Sequence, residues 1–151
     1  MKILVAYDGS PAADAVIDLV IQRPWPERTQ VRVVMVIETP MFHPMAGGIE
    51  GYPPLSESVR QSLRENANRS VQAAVEKLKS KPGIQPTFGV REGAVKSALL
   101  DAIREWGSDL VLVGSHGKGA LGRLFLGSVS HALVTHAPCN VEVVRSPRAA
   151  A

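Results

Sequence analysis

Only one of the 151 residues is a cysteine, Cys139, so no disulfide can close within the chain. That usage fits a reducing compartment. Aromatic side chains are also few: three Phe, two Tyr and two Trp. None is interleaved with a run of basic residues, so the stacking-and-phosphate surface of a nucleic-acid binder is not expected. No apolar stretch approaches the roughly 20 residues that a membrane helix needs. The apolar opening Ile3–Tyr7 is shorter than a signal-peptide core and ends at Asp8. A cytoplasmic protein is expected, with neither membrane nor nucleic acid as partner. One further shortage is local. Between Leu110 and Val141 there is no Asp or Glu, while Lys118 and Arg123 add positive charge inside that stretch.

What is present is an ordinary globular composition. Hydrophobic residues make up 45% of the chain, and 17 basic against 14 acidic residues give a formal charge of +3. The charges are interleaved, as in Arg60, Arg64, Glu65 and Arg69. The length suits one domain with a sizeable core, read as residues 1–146 with a frayed tail over 147–151. Cys139, between Pro138 and the last apolar run, reads as a small buried hydrophobe.

The periodicity alternates strand and helix. Lys2–Tyr7 and Val31–Ile37 are near-continuous apolar runs, the mark of strands covered on both faces. Ser10 and Pro11 form an N-cap and first helical residue. The helix they open turns Ala12, Ala15, Val16, Leu19 and Val20 inward and stops before Pro24. Pro40–Pro54 is too long for a plain connector and reads as a lid or an insertion. From Ser56 to Lys79, Val59, Leu63, Ala67, Val71, Ala74, Val75 and Leu78 recur at helical spacing. Ile84–Arg91 is a strand placed at a sheet edge by Pro86 and Gly89. Ala94–Trp106 is a helix with Val95, Ala98, Leu99, Ala102 and Ile103 inward. Leu110–Val113, Ser128–His136 and Asn140–Arg145 follow as strand, helix and strand. This order calls for a five-stranded parallel sheet, order 3-2-1-4-5, with helices on both faces. Ligands of such sheets sit beyond the strand ends where the winding reverses, here between the loops Asp8–Ser10 and Gly114–Gly127.

That second loop carries the chemistry. It follows an apolar strand, holds Gly114, Gly117, Gly119 and Gly122, and ends at Gly127 and Ser128 where a helix begins. Glycine lets backbone approach a ligand closely, and a helix start offers unpaired N–H groups and a positive dipole end. The expected ligand is an anion, phosphate above all. Gly117–Gly122 has the form G-x-G-x-x-G, but it follows the fourth strand rather than the first, so a dinucleotide site is not expected. Lys118 is followed by glycine, which excludes a Walker A loop.

The spacing Gly114-x2-Gly117-x9-Gly127-Ser128 resembles the nucleotide-binding signature of the universal stress protein family. The opening KILVAYDGS and the closing APCNVEVVR are similar to the same family, and the likeness runs from Lys2 to Arg145. It implies a flavodoxin-like, adenine nucleotide alpha hydrolase-like fold. It also implies a homodimer through the last strand, Val141–Arg145, and ATP bound with Mg²⁺ or Mn²⁺ through its phosphates. Gly114, Gly117, Gly127 and Ser128 would take the phosphates and ribose, and Asp8 would lie at the nucleoside. Ala6, Val36, Val113 and Val129 would surround the base and sugar. Asn140 and Glu142 depart from the family's usual proline and apolar residue.

The residues support these roles beside plainer ones. Ser128 can give its N–H and hydroxyl to a phosphate oxygen. Asp8 can accept from ribose hydroxyls or cap the first helix. Lys118, Arg123 and His116 can clamp phosphate or be solvated loop residues. His131 and His136 do not share a helix face, and His43 reads as solvent-exposed, so no metal pair is expected. On the outer strand, Glu142 and Arg145 can meet a partner chain or merely blunt the edge. No Ser–His–acid cluster is legible, so no catalytic residue is assigned and weak ATP hydrolysis is the most that is expected. The function expected is a nucleotide-dependent regulatory dimer of the stress response with a protein partner. The alternatives are an interaction module that binds no nucleotide and a slow ATPase. A Gly127→Val side chain is expected to block the phosphates while the fold survives.

Overall fold

The computed structural model describes residues 1–38, 56–116 and 126–145. Their elements are β1 (Lys2–Ala6), α1 (Pro11–Gln22), β2 (Thr29–Glu38), α2 (Glu57–Leu78), β3 (Ile84–Gly93), α3 (Val95–Trp106), β4 (Leu110–Gly114), α4 (Ser128–His136) and β5 (Asn140–Val144). All pair in parallel in the order β3-β2-β1-β4-β5, as the alternation predicts. Pro40–Pro54, His43 and the tail after Arg145 lie outside the described residues.

The central strand shows why the sheet is buried on both sides. Ile3, Leu4 and Val5 are fully buried. Ile3 and Val5 join one cluster with Val16, Ile17 and Val20 of α1 and Val71, Val75 and Leu78 of α2. Leu4 and Ala6 face the other way, into a cluster with Leu99 and Ile103 of α3 and Leu133 of α4. Successive side chains of a strand point to opposite faces, so a short unbroken aliphatic run serves two cores. Registers place Ala6 opposite Val34 on one side and Val113 on the other, which aligns the three strand ends that frame the site.

Ser10 caps α1 as expected, its hydroxyl accepting from the Ala13 N–H at 3.2 Å. The buried face differs from the expected one. Ala13 and Ile17 are buried beside Ala12, Val16 and Val20, while Ala15 and Leu19 are half-buried. Both stripes have helical spacing, and the angle at which the Gly9–Ser10 turn launches the helix selects between them. The stripe on α2 is shorter than expected: Ala67, Val71, Ala74, Val75 and Leu78 are buried, but Val59 is 44% and Leu63 38% exposed. Periodicity fixes which side of a helix can be buried, not how far along it a neighbour reaches.

At the far edge, the Arg23 guanidinium donates to both carboxylate oxygens of Glu142 at 2.7 Å and lies 5.3 Å from the Trp25 ring centroid. This pair ties the end of α1 to β5. Glu142, one of the two residues expected either to meet a partner chain or to blunt the edge, is thus also engaged within its own chain. Among the described residues no helix is long and apolar enough to cross a membrane.

Candidate functional site

Beyond the carboxyl ends of β1, β2 and β4 lies a cavity of about 440 Å³. Its apolar side comes from Ala6, Val34, Val36, Val95, Leu99, Val113 and Val129, which belong to or pack against one core cluster. Its polar side comes from Asp8, Ser10, Glu38, Gly114, His116, Gly127, Ser128 and Ser130. The cavity spans the β1–β4 junction, where the chain reverses its winding and such sheets bind ligands.

Short hydrogen bonds hold the polar side in place. Ser130 Oγ donates to the Gly114 carbonyl at 2.7 Å, the Gly127 N–H donates to the Ser115 carbonyl at 2.8 Å, and the Ser115 N–H donates to the Val144 carbonyl at 2.8 Å. The turn after β4 is thus fastened both to the start of α4 and to β5. Gly127 is the N-cap of α4 and supplies no side-chain cap. The first-turn N–H groups of a helix lack intrahelical partners, and Ser128, Val129 and Ser130, which carry them, line the cavity. Such a terminus presents unpaired N–H groups and a positive dipole end, which favour negative charge.

The glycines have different reasons. A Cβ on Gly114 would stand 2.8 Å from the Ala12 Cβ and 3.0 Å from its carbonyl carbon. Gly114 therefore lets the first turn of α1 rest on the end of β4, a packing role the sequence does not reveal. Gly127 has φ −59°, so it is not required for a left-handed backbone. A Cβ there would stand 3.1 Å from the Ser115 carbonyl oxygen and 3.6 Å from the His116 Cα. Gly127→Val, expected to block the phosphates while the fold survives, would therefore also crowd the Ser115 carbonyl.

His116 is part of the wall rather than an exposed loop residue. Its Nδ1 lies 2.9 Å from Ser115 Oγ, and its buried Nε2 has no hydrogen-bond partner among the described residues. Asp8 Oδ1 accepts from the Ser10 N–H at 2.9 Å, shaping the turn into α1, and the residue also lines the cavity. The Tyr7 hydroxyl donates to Asp14 Oδ1 at 2.9 Å. Burial first, then that hydrogen bond and the charges of Asp14 and Asp8, hold the phenol far above its ordinary range. Cys139 packs against the α3 cluster, and burial, with Asp109 adding to it, pushes its thiol up.

The structure gathers Ala6, Asp8, Val36, Val113, Gly114, His116, Gly127, Ser128 and Val129 around one cavity. Gly117, Lys118 and Arg123 lie outside the described residues. Sequence reasoning missed Tyr7, Ser10, Ala13, Val34, Glu38, Val95, Leu99 and Ser130 as lining residues. A signal existed for some of them: Val34, Val36 and Glu38 alternate along one strand, and Val95 and Leu99 stand one helical turn apart. No group of three or more His, Cys, Asp or Glu residues able to hold a metal occurs among the described residues.

The architecture is an open parallel α/β sheet with a half-apolar, half-polar cavity at its switch point, a place suited to a small ligand with an anionic end. The universal stress protein family model matches residues 1–145, and the chain belongs to that family. A universal stress protein of Synechocystis sp. is 29% identical over 151 residues, covering 95% of this chain and 97% of that protein. Universal stress protein A homolog 1 of Coxiella burnetii is 30% identical over 142 residues, covering 94% of each chain. Among solved structures, a universal stress protein family protein of Arabidopsis thaliana with AMP bound has a TM-score of 0.66 at 16% identity, covering 98% of this chain and 93% of that one. A universal stress protein in complex with cAMP has a TM-score of 0.62 at 19% identity, covering 97% of each chain. The two solved structures share the flavodoxin-like fold.

Proposed function

We propose that this chain is a regulatory nucleotide-binding protein that takes an adenine nucleotide, ATP in its full form, in the β1–β4 cavity. One observation carries the reading: the uncapped start of α4, with Gly127 and Ser128, stands at the polar side of a cavity whose other side is aliphatic. Phosphate belongs at the N–H groups of α4, ribose hydroxyls at the Asp8 carboxylate, and the base against Val36 and its neighbours. The AMP and cAMP found with two proteins of this fold support the choice of ligand. The charged residues among the described lining are Asp8 and Glu38, so positive charge for a triphosphate falls to Lys118, Arg123 and a divalent ion. Mg²⁺ or Mn²⁺ would ride on the phosphates, because the described residues offer no protein cage of their own. Gly117 extends the same phosphate end.

The regulatory unit we propose is a homodimer joined along Val141–Arg145, which would cover the outer edge of β5. Nucleotide occupancy would then bias the surface presented to a protein partner.

The first test is calorimetric titration of Mg-ATP into nucleotide-stripped protein. Saturable binding of one nucleotide per chain is expected. Ser128→Asp is the matching variant, since a carboxylate in the first turn of a helix favours the helix while repelling phosphate. Its affinity for ATP should fall at least about tenfold with the melting temperature retained, as one lost phosphate contact implies. Absence of binding to the wild-type chain would favour an interaction module without nucleotide. Release of phosphate at a steady rate would favour a slow ATPase.

A further inference from the structure

On the α3 side of the sheet, β3 offers no apolar side chain. Residues two apart on a strand share a face, so Gln85, Thr87, Gly89 and Arg91 stand together there, beside Arg32 and Val34 of β2. α3 buries Leu99, Ala102 and Ile103 in a cluster with Val34, and a groove is left between it and β3. The groove is a cavity of about 270 Å³ lined by Arg32, Val34, Gly89, Val90, Arg91 and Ala102. It shares only Val34 with the β1–β4 cavity, and no carboxylate is among its lining residues. Its two guanidinium groups differ. Arg91 donates to both carboxylate oxygens of Glu105 on α3. Arg32 makes no hydrogen bond or ion pair among the described residues and reaches Glu105 only through its charge.

Arg32 is half-buried, and water can serve its donors; what sets it apart is that it is held in place beside apolar surface. Its guanidinium lies 5.9 Å from the Trp106 ring centroid, and a Cβ on Gly89 would stand 3.6 Å from both its Nε and its Nη2. Stacking on an aromatic face orients a guanidinium and leaves its N–H edge available. The missing side chain of Gly89 keeps the groove open beside it. The charges set the class of ligand. Two guanidinium groups against the one carboxylate of Glu105 leave one positive charge. Asp101, whose charge also reaches Arg91, is paired with Arg104. A monocarboxylate neutralises that charge and matches a planar guanidinium with two parallel hydrogen bonds, whereas a phosphate dianion would overshoot it close to Glu105. Val34 and Ala102 give an aliphatic chain an apolar wall, and the cavity is smaller than the roughly 300–1,000 Å³ of drug-sized sites. We infer that this groove is a second ligand site, taking a short aliphatic monocarboxylate with its carboxylate on Arg32 and its chain against Val34 and Ala102. The site is independent of whatever occupies the β1–β4 cavity.

The experiment titrates butyrate, acetate and inorganic phosphate into the isotope-labelled full chain, each against sodium chloride of equal ionic strength, and follows backbone amide and arginine Nε–H resonances. Butyrate is expected to shift the Gly89 amide and the Arg32 Nε–H saturably, with acetate weaker and phosphate weakest. Arg32→Gln, read at the Gly89 amide, should weaken butyrate at least about tenfold, the scale of a hydrogen bond to a charged group. Gly89→Val, read at the Arg32 Nε–H, should fill the groove and weaken it as much. Its melting temperature should be retained, because the new Cβ meets only Arg32 and at ordinary contact distance. No saturable shift at Gly89 or Arg32, shifts matched by sodium chloride, or an unchanged affinity in either variant overturns the site. Tighter binding of phosphate than of butyrate overturns the assignment to a carboxylate.

Discussion

Gly114 shows how one residue can answer to packing and to the site together. Its missing side chain lets Ala12 approach to a distance no Cβ would tolerate, and its carbonyl takes the Ser130 hydroxyl. Gly114→Ala should therefore cost about 1–3 kcal/mol of stability through overpacking, read as a lower urea midpoint. A midpoint equal to that of the wild type would show that α1 moves aside freely. Ser130→Ala removes a buried donor and leaves the Gly114 carbonyl short of a partner, an effect of about 1–3 kcal/mol. The glycine and the site loop were visible in the sequence. The clash with Ala12 was not, because it joins α1 to β4, elements far apart in the chain with nothing local to mark the contact.

At the scale of elements, the α1–β5 tie and the two halves of α2 behave differently from what pattern alone suggests. The hydrogen bond from Arg23, with its charge adding to it, holds the Glu142 carboxyl below its ordinary value of 4.5 against the opposing effect of burial. A carboxyl whose folded pKa is depressed stabilises above its unfolded value, and the contribution is lost as pH falls through the folded value. The pair is about one-third exposed, so its contribution is about 0.5–1 kcal/mol. Glu142→Gln should then be less stable than the wild type near neutrality, with the gap closing below pH 4.5. A gap independent of pH would assign it to packing instead. On α2, Val71→Ala in the buried half should cost about 1–3 kcal/mol, whereas Val59→Ala should stay within about 0.5 kcal/mol. Chemical denaturation of the two variants side by side checks both values. Equal losses would mean that the first turns of α2 are covered.

For the whole molecule, binding and folding are linked. A ligand that binds only the folded state stabilises it by about 2.7 kcal/mol at a concentration 100 times its dissociation constant. Mg-ATP should raise the melting temperature accordingly, and Ser128→Asp should flatten that response. The proposed dimer predicts a sedimenting species of twice the 16.2 kDa chain. A species of the single-chain mass at high concentration would remove the β5 interface from the account.

The element order, the parallel sheet and the reversal between β1 and β4 were legible from the chain, because buried parallel strands must be aliphatic on both faces and their helices amphipathic. The glycine loop and the helix start at Ser128 likewise drew attention to Gly114, Gly127 and Ser128, which line the cavity. Tertiary structure decided the rest. It selected Ala13 and Ile17 over Ala15 and Leu19, left Val59 and Leu63 uncovered, gave Glu142 to Arg23, and set Glu38 beside Val34 and Val36 on the cavity wall. Each of these depends on the distance and angle between elements far apart in sequence. Local periodicity carries no term for that geometry.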